Sequence, residues 1–595
     1  MLDSLLKEIC LHKNEAEESN IMVRVSVRHL ICICLTLVVF LCILYSHQRC
    51  DSTPASHTNI ASSESDLSQA SSVSDYISEN RLETFNCYLN REVAKNIGVK
   101  WPQKKIDCRK EGKQVFLPFS FLEKHYETRG AMVGDNEFEI SQSYSKVYSS
   151  REKHQAKGPF MHFENFKVEV RSRVLCVSAA TGVPVSRQWD PAGYYYPTQI
   201  AQYSLAHYGN HLKHRKPSRT VLDNGDDILL ELTNAKRTHD NELESKVIEF
   251  NGQEQFTINV RPEQTILCLD FKNFHQGRIT VEVEIFDEPG SVVEIHYNSG
   301  VDQHLEVSGD RIVFGLGSSE QYTWVRLTRD VANDVDRVRS LHKPDYRLKS
   351  RVRVRRLRLS GHGQVKDVWL SDSEHYRQFL HGADWFVGTQ DKSGGWPSMV
   401  VFNRGRKKYP GAQEVKVGWH GAMCQGQAIS VLVWAYLATG LAKYLEAAIK
   451  ATALFTKSTK EGGVKSEVLG HIWYEEYPLH PPSHILNGFL YGLLGLYELS
   501  TLPEGRESAH SLYRKGLDSL LTLLPLYDSG SGTFYDLRHL TMFTAPKGAR
   551  WDYHATHINQ LLTLASIEDE DVENKLRDTA ERWKGYMVGQ RAPHN

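Results

Sequence analysis

The hydrophobic period of this chain changes once, and that change constrains its fold more than any other feature. Between roughly Cys87 and Trp369, apolar and polar residues alternate in short runs such as Lys167 to Val174 (KVEVRSRV), Arg278 to Ile285 (RITVEVEI) and Ser291 to Ile295 (SVVEI), with Gly, Asn and Asp between them. This is the period of half-buried antiparallel strands. From Ser373 onward apolar residues recur at helical spacing, in Gln427 to Thr439, Leu441 to Thr456, Leu486 to Ser500, Arg514 to Leu524 and His557 to Ile567. Strands followed by helices predict an α+β protein with separate layers or domains. The helix openings at Gln425 (QGQAISVL), Leu486 (LNGFLYGL) and His557 (HINQLLTL) form a weak repeat with steps of 61 and 71 residues. Helix hairpins at such spacing predict an α/α toroid, an incomplete α/α barrel whose loops line one mouth; an irregular bundle is the alternative.

A chain of 595 residues calls for several structural units. Its 71 Lys and Arg against 72 Asp and Glu leave a net charge of −1, which excludes a generally basic polyanion or nucleic-acid binder and confines any such attraction to local patches. Residues 30 to 45 (LICICLTLVVFLCILY) carry no charge or proline, and Arg24 and Arg28 precede them. At 1.5 Å per residue this run reaches about 24 Å, short for a ~30 Å hydrocarbon core but suited to a thinner early-secretory membrane. It reads as an uncleaved signal-anchor over 29–46 behind a cytoplasmic tail of 1–28, with a cleaved signal peptide as the alternative. From Ser52 to Glu79 twelve of 28 residues are Ser or Thr, so 47–85 is expected to be a luminal stem. This is the layout of a type II Golgi membrane protein. Beyond the stem only Cys87, Cys108, Cys176, Cys268 and Cys424 remain, too few for a disulfide scaffold; Cys87 with Cys108 is the expected bridge. The absence of any Asn-x-Ser/Thr acceptor runs against the luminal assignment.

No phosphate loop, HExxH or CxxC is present. What stands out is tyrosine beside acid in WYEEYP (473 to 478), YDLRH (535 to 539) and RWDYH (550 to 554), in loops at helix starts where mouths converge. Tyr474 is expected to be a packing residue, Glu475 a solvated acid or helix-cap group, and His539, His554 and His557 orienting partners.

At these residues the chain resembles the heparan-sulfate glucuronyl C5-epimerases. The matching strings are VFLPFSF (115 to 121), SYSKVY (143 to 148), QWDPAGYYYPTQIAQY (188 to 203), GGWP (394 to 397), AMCQGQAIS (422 to 430), WYEEYP, LNGF (486 to 489), LYDSGSGTFYDLRH (526 to 539) and ARWDYHATHINQL (549 to 561). The resemblance implies an N-terminal β-hairpin region over 86–135, a β-sandwich or barrel over 136–372 and a catalytic toroid over 373–595. It also implies an isomerase that inverts C5 of D-glucuronate to L-iduronate in N-sulfated heparosan, with no catalytic cofactor.

Such a reaction removes a proton alpha to a carboxylate on one face and returns one on the other, so two proton-transfer groups must flank the ring and a cation must meet the carboxylate. By resemblance the flanking groups are Glu476 and Tyr553, with Tyr477 and Tyr535 close by and Arg538 on the uronate carboxylate. A tyrosine acts as a base near pH 7 only if cations lower its pKa, and Arg538 and Arg550 are at hand. Substrate binding is assigned by resemblance to Arg171, Ser172, Arg173, Gln188, Tyr196, Gln199, Gln202, Asn487, Tyr491, Arg550, Trp551, Asp552 and His554. Phe166 stands where the family commonly has Tyr. A structural calcium site is implied at Asn224, Asp226 and Asp367, oxygen donors suited to that ion. Arg347 to Arg358 (RLKSRVRVRRLR) offers a basic stripe for an acidic polysaccharide, with a plain exposed strand face as the alternative. The family is dimeric through its helical domains, which implies a homodimer here, supported by Arg514 to Leu524 and Glu581 to Asn595 and independent of Cys50. A uronate polysaccharide lyase and a non-catalytic Golgi glycosaminoglycan binder are the competing functions.

Overall fold

The computed structural model describes residues 83–88, parts of 105–148, and 152–593 with gaps at 157, 227–228, 287–289, 310, 318–321, 343–350, 403–408, 410 and 588. The expected tail, signal-anchor and most of the stem lie outside the described residues, as does Cys50. Among the described residues no helix is long and apolar enough to cross a membrane.

The chain divides into two compact units, Met1–Pro118 and Phe119–Asn595. In the first, Glu83–Tyr88, Lys105–Glu111 and Gln114–Phe116 form an antiparallel sheet, with Phe85 opposite Cys108 and Cys87 opposite Ile106. The expected disulfide, Cys87 to Cys108, ties its first two strands. The remaining described thiols, Cys176, Cys268 and Cys424, are free and buried in the second unit.

The second unit mixes sheet and helix. Its nine-stranded sheet runs Ala235–Asp240, Ser245–Thr257, Val352–Ser371, Ile266–Ile285, Val292–Asn298, Arg311–Gly315, Glu306–Ser308; Trp324–Asp330 also pairs with Ile266–Ile285, and Arg219–Asp223 with Val352–Ser371. The two twenty-residue strands pair antiparallel along their length through four register shifts. Such bulges bend a long strand so that one face stays on a common core. That core holds Leu267, Ile279, Val281, Val283, Ile295, Leu357 and Leu359.

The basic stripe resolves as cross-strand pairing. Arg356 lies opposite Glu282, with Nη1 2.9 Å from its carboxylate, while Arg358 reaches Glu294 at 3.5 Å and Arg355 reaches Glu284 at 4.0 Å. Residues 347–350 lie outside the described residues. Arg355 and Arg356 thus meet acids of the adjacent strand Ile266–Ile285, and Arg358 reaches across it to Glu294 on Val292–Asn298.

The longer helices are α1 (Pro197–Lys213), α2 (Val331–His342), α3 (His375–Thr389), α4 (Ala422–Thr439), α5 (Ala442–Ala451), α6 (Leu486–Ser500), α7 (Pro503–Leu523), α8 (Trp551–Ala565) and α9 (Glu570–Met587). They pack as pairs, α1 on α3, α4 on α5, α6 on α7 and α8 on α9, while α1, α4, α6 and α8 contact one another in that order. The three repeat openings fall on α4, α6 and α8. Between α4 and α6 the backbones nearly touch: a β-carbon at Gly426 would stand 2.3 Å from the Tyr491 carbonyl, and one at Gly495 2.1 Å from the Gly426 carbonyl. Gly426 and Gly495 are thus an interface requirement.

Two helices stand where strands were expected. Helix α1 lies inside the span read as β, yet Ile200, Ala201, Leu205 and Tyr208 join the helical core with Phe379 and Trp434. Thirteen of its residues, Pro197 to Gly209, are buried without a gap, so there is no exposed face to print a period of 3.6. Helix α2 follows directly on Trp324–Asp330. The strand expected over Lys167 to Val174 is also absent: Lys167 takes a left-handed φ of 40°, Val168–Val170 form a 3₁₀ turn, and the strand begins only at Val174.

Candidate active site

Helices α1, α4, α6 and α8 start at one place. Their N-cap residues are Tyr196, Gly421, Ile485 and Arg550, and first-turn residues of all four, Gln199, Met423, Asn487 and Tyr553, line one cleft of about 520 Å³. The first N–H groups of a helix lack intrahelical partners and carry the positive end of its dipole. Four such ends around one cleft favour an anionic ligand before any arginine is counted.

Glu475 and Glu476 link two of these ends. The Glu475 carbonyl accepts the N–H of Ala422 at 2.7 Å, fixing the loop to the start of α4. The Glu475 side chain turns inward and is fully buried, accepting the Ser466 hydroxyl at 2.6 Å and the His484 N–H at 3.1 Å, with His484 Nδ1 2.7 Å away. The solvated or capping role expected of Glu475 is thereby corrected: it anchors the loop. Glu476 turns the other way, lines the cleft at 7% exposure, and lies against Gly488 in the first turn of α6.

Tyrosines surround Glu476. Tyr196, Tyr409, Tyr477, Tyr491, Tyr535 and Tyr553 all have hydroxyls pushed above the usual phenol range, by burial first and with the Glu476 charge among the further causes. For Tyr553, Arg550 and Arg173 offset part of that rise without reversing it. The expectation that arginines depress a tyrosine into service as a base is therefore overturned, because burial and a carboxylate outweigh two partly exposed cations. Tyr477 stacks on Phe402 at 4.4 Å, and Tyr535 sits behind Tyr553, edge to face at 4.8 Å.

Cations stand at the open side. Arg171 donates to Gln202 Oε1 at 3.1 Å and to the Phe166 carbonyl at 3.3 Å; burial, then the charge of Arg173, bring its pKa down to about 10, so it stays charged. Arg173 and Arg550 also line the cleft, the latter paired with Asp552 at 2.6 Å. Between cations and tyrosines lie amides without partners: Gln188 Oε1, both amide atoms of Gln199 and Asn487 Oδ1 are buried and meet no hydrogen-bonding group of the protein. Orphaned polar atoms are costly, and several in one cleft mark where a hydroxyl-rich ligand completes the set.

Thirteen of the eighteen residues assigned to catalysis and substrate line this cleft, namely Glu476, Tyr477, Tyr553, Arg171, Arg173, Gln188, Tyr196, Gln199, Gln202, Asn487, Tyr491, Arg550 and Asp552. Five lie elsewhere. Tyr535 and Arg538 are a layer beneath; Arg538 is held by Asp536 in a bidentate pair, 2.7 Å from Nε to Oδ1, with its guanidinium 4.0 Å over the Tyr409 ring. Ser172 points to solvent. Trp551 and His554, three apart with ring centroids 5.2 Å from each other, share a face of α8 turned away from the cleft. His554 is buried between the Thr533 hydroxyl and the Trp583 carbonyl, and His557 shares that hydroxyl, so these histidines orient the helix and do not touch the cleft. Tyr474 is fully buried and bonds the Leu512 carbonyl, a packing residue as expected. Lys146, Tyr148, His162, Asn165, Thr556 and Asn559 line the cleft unassigned by sequence reasoning, although Lys146 and Tyr148 lie in the SYSKVY string.

The residues expected at calcium come from the loop that follows Arg219–Asp223 and from within the strand Val352–Ser371. Val368 pairs with Asp223, which carries Asp367 beside Asn224. The Asp226 N–H donates to Asn224 Oδ1, and Asp367 lies 3.3 Å from Lys366. All three supply oxygen donors, the chemistry calcium takes. Among the described residues no group of three or more His, Cys, Asp or Glu is placed to hold a metal.

A carboxylate ringed by tyrosines that burial keeps protonated, under arginines and four helix N-termini, has the groups that proton transfer on an anionic ligand requires. That is the equipment of a proton-transfer enzyme, and comparison gives the class. Family models described as D-glucuronyl C5-epimerase C-terminus and D-glucuronyl C5-epimerase, beta-sandwich domain, match residues 390–585 and 244–362. A D-glucuronyl C5-epimerase of Caenorhabditis elegans is 36% identical over 557 aligned residues, covering 83% of this chain and 88% of that one. An uncharacterized protein of Methanocaldococcus jannaschii is 33% identical over 151 residues, 25% of this chain and 46% of its own. A Klebsiella oxytoca rhamnosidase with rhamnose bound is 11% identical, covers 66% of this chain and 74% of its own, and has a TM-score of 0.18, which carries no argument about fold. The chain belongs to the D-glucuronyl C5-epimerase family, and it is an epimerase.

Proposed function

We propose that this chain inverts C5 of D-glucuronate residues to L-iduronate within N-sulfated heparosan, during heparan sulfate or heparin assembly. The observation that carries the reading is that Glu476 and the protonated Tyr553 line one cleft with unpartnered amides between cations and phenols. Glu476 accepts the C5 proton on one face, the electron pair passes into the uronate carboxylate, and the Tyr553 hydroxyl delivers a proton to C5 on the other face. Exchange with solvent then returns a proton to Tyr553 and takes one from Glu476. Arg171 and Arg173 meet the carboxylate as charge grows on it, with Arg538 adding positive potential from beneath, partly offset by Asp536. Tyr477 and Tyr535 hold the two transfer groups in place.

The same reading extends to setting. The paired helices support an incomplete α/α toroid over 373–595, joined by α1, behind a β-sandwich. The apolar run before the stem supports a type II Golgi anchor with a luminal catalytic domain. Asn224, Asp226 and Asp367 are a structural calcium site, and the helical domain forms a homodimer.

The full chain, incubated with N-sulfated heparosan in deuterated water, tests the chemistry directly. Deuterium at C5 in chains of unchanged length is the expected result. Unsaturated ends would instead identify a lyase, and binding without either would identify a carbohydrate-binding protein.

A further inference from the structure

Beside the catalytic cleft lies a second cavity of about 560 Å³, and the two share walls: Tyr148, Met161, His162 and Asn559 line both. One face of α8 floors them in succession. Tyr553 and Thr556 belong to the first, Asn559 to both, Thr563 to the second, and Ser566 follows at the end of the helix. From Tyr553 to Thr563 this face runs about 15 Å, so a linear polymer held at Tyr553 and following the helix enters the second cavity.

The wall between the cavities is a rigid platform. Tyr148 and His162 stack with ring centroids 3.6 Å apart and planes at 19°, and the Lys146 ammonium lies 5.2 Å over the Tyr148 ring. The pair is fixed from both sides: the Tyr148 N–H donates to Asn559 Oδ1 at 2.8 Å, Asn165 Nδ2 donates to the Tyr148 hydroxyl at 3.1 Å, and Met161 and His162 both hold left-handed φ values, 47° and 58°. Strained backbone persists where its surroundings over-determine it and often serves a site. At the far end the His154 N–H donates to Ser566 Oγ at 3.1 Å, and His154 Nε2 lies 2.8 Å from the fully buried Glu498. The catalytic cleft presents Arg171, Arg173, Arg550 and Lys146. The second cavity offers flat rings, hydroxyls and amides; its two lysines are Lys153 and Lys213, the latter paired with Glu164, and Glu152 lines it too, so its charges are mixed, which suits a sugar ring more than a concentrated anion.

We propose that the second cavity, entered over the Tyr148–His162 platform, is a binding subsite for hexosamine and uronate residues of the same polysaccharide, several sugars away from the reacting uronate. This rests on the epimerase reading, which places the reacting residue between Glu476 and Tyr553. A chain long enough to fill both cavities binds more tightly than one confined to the first.

Gly158 provides the test. A β-carbon there meets nothing closer than the Gln155 carbonyl at 3.4 Å, and Gly158 has no left-handed φ, so Gly158→Trp fills the cavity without backbone strain. Dissociation constants of an N-sulfated heparosan tetrasaccharide and octasaccharide are measured by calorimetry on the full chain carrying Tyr553→Phe, which removes turnover. The octasaccharide is expected to bind about three- to tenfold more tightly than the tetrasaccharide, the worth of an aromatic contact, and Gly158→Trp to abolish that advantage while leaving tetrasaccharide binding unchanged. Equal affinity for the two lengths before the Trp is introduced overturns the proposal without any variant. So does an octasaccharide advantage that survives Gly158→Trp, or equal weakening of both ligands, which would make the cavity a prop for the catalytic cleft. Failure of both oligosaccharides to bind at all would overturn the polysaccharide reading itself, and the subsite with it.

Discussion

Glu476 can occupy the cleft only because residue 488 is glycine. A β-carbon at Gly488 would stand 2.5 Å from the β-carbon of Glu476 and 2.7 Å from its Oε2, distances that no real side chain keeps. The carboxylate therefore sits against the first turn of α6, where the N-terminal end of the helix favours a negative charge. Replacing glycine by alanine in a helix ordinarily adds about 0.5–1 kcal/mol of stability. Gly488→Ala should thus leave the thermal midpoint near that of the unsubstituted protein while pushing Glu476 aside. A misplacement on the order of 1 Å costs about 10²-fold in rate. A turnover number within threefold of the unsubstituted enzyme would show that Glu476 does not need that seat.

Removing either proton-transfer group at constant volume should have a larger effect. Tyr553→Phe and Glu476→Gln are each expected to lower C5 exchange by about 10²- to 10⁴-fold with heparosan binding retained. The discriminating measurement is deuterium incorporation alongside a dissociation constant; lost binding with exchange per bound substrate preserved would reassign the residue to binding.

Acid should destabilise the helical half through its buried histidines. Burial first, then the charge of His554, bring His557 from an ordinary 6.5 to about 3, and burial with the charges of His375 and His381 takes His207 well below 6.5. Both are neutral in the folded state down to low pH, whereas the unfolded chain takes up their protons near 6.5. Their stabilisation is therefore complete above about pH 6.5 and falls as pH drops from there toward 3, at about 1.4 kcal/mol per pH unit per histidine. Denaturant unfolding followed from pH 7.5 to 4.5 should show this decline, and His557→Gln should shallow it by about one proton's worth. An unchanged slope in the variant would show that the folded protein protonates His557 in that range.

Chelation should separate stability from chemistry. Asn224, Asp226 and Asp367 do not line the cleft, so C5 exchange is expected to persist in chelator while the thermal midpoint falls. Calcium at a hundredfold excess over its dissociation constant is worth about 2.7 kcal/mol. A midpoint identical with calcium and with chelator would remove the site.

Light scattering on the detergent-solubilised full chain, with and without Cys50→Ser, reports on assembly. A dimeric mass in both is expected; a monomer at micromolar concentration would refute the homodimer, and a dimer lost only on reduction or with the substitution would transfer the contact to Cys50.

Periodicity suffices for the α+β organisation and the paired helices, because helical phase is a local property of a chain, and tyrosine beside acid marks the loops of Glu476 and Tyr553. The other cleft residues were legible only through the resemblance of strings such as QWDPAGYYYPTQIAQY to a known family. Neighbouring positions that face opposite ways are not so readily told apart. Glu475 and Glu476 are chemically identical in sequence, and only the packing of Ser466 and His484 on one side and Gly488 on the other makes the first an anchor and the second a cleft residue. Likewise Tyr553 and His554 part company because 100° of helix rotation separates them, which sends one to the cleft and the other to Thr533. Helix α1 left no periodic trace, since a helix buried on every side has no polar face, and Arg171 and Arg173 reach the cleft by a 3₁₀ turn set by a left-handed Lys167, not by strand alternation. The sequence by itself determined which chemistries were available and which elements carry them. The tertiary structure alone decided that four helix N-termini from residues 196 to 553 meet at one cleft, and that burial keeps Tyr553 protonated beside Glu476, because electrostatics and burial depend on neighbours that the linear chain holds hundreds of residues apart.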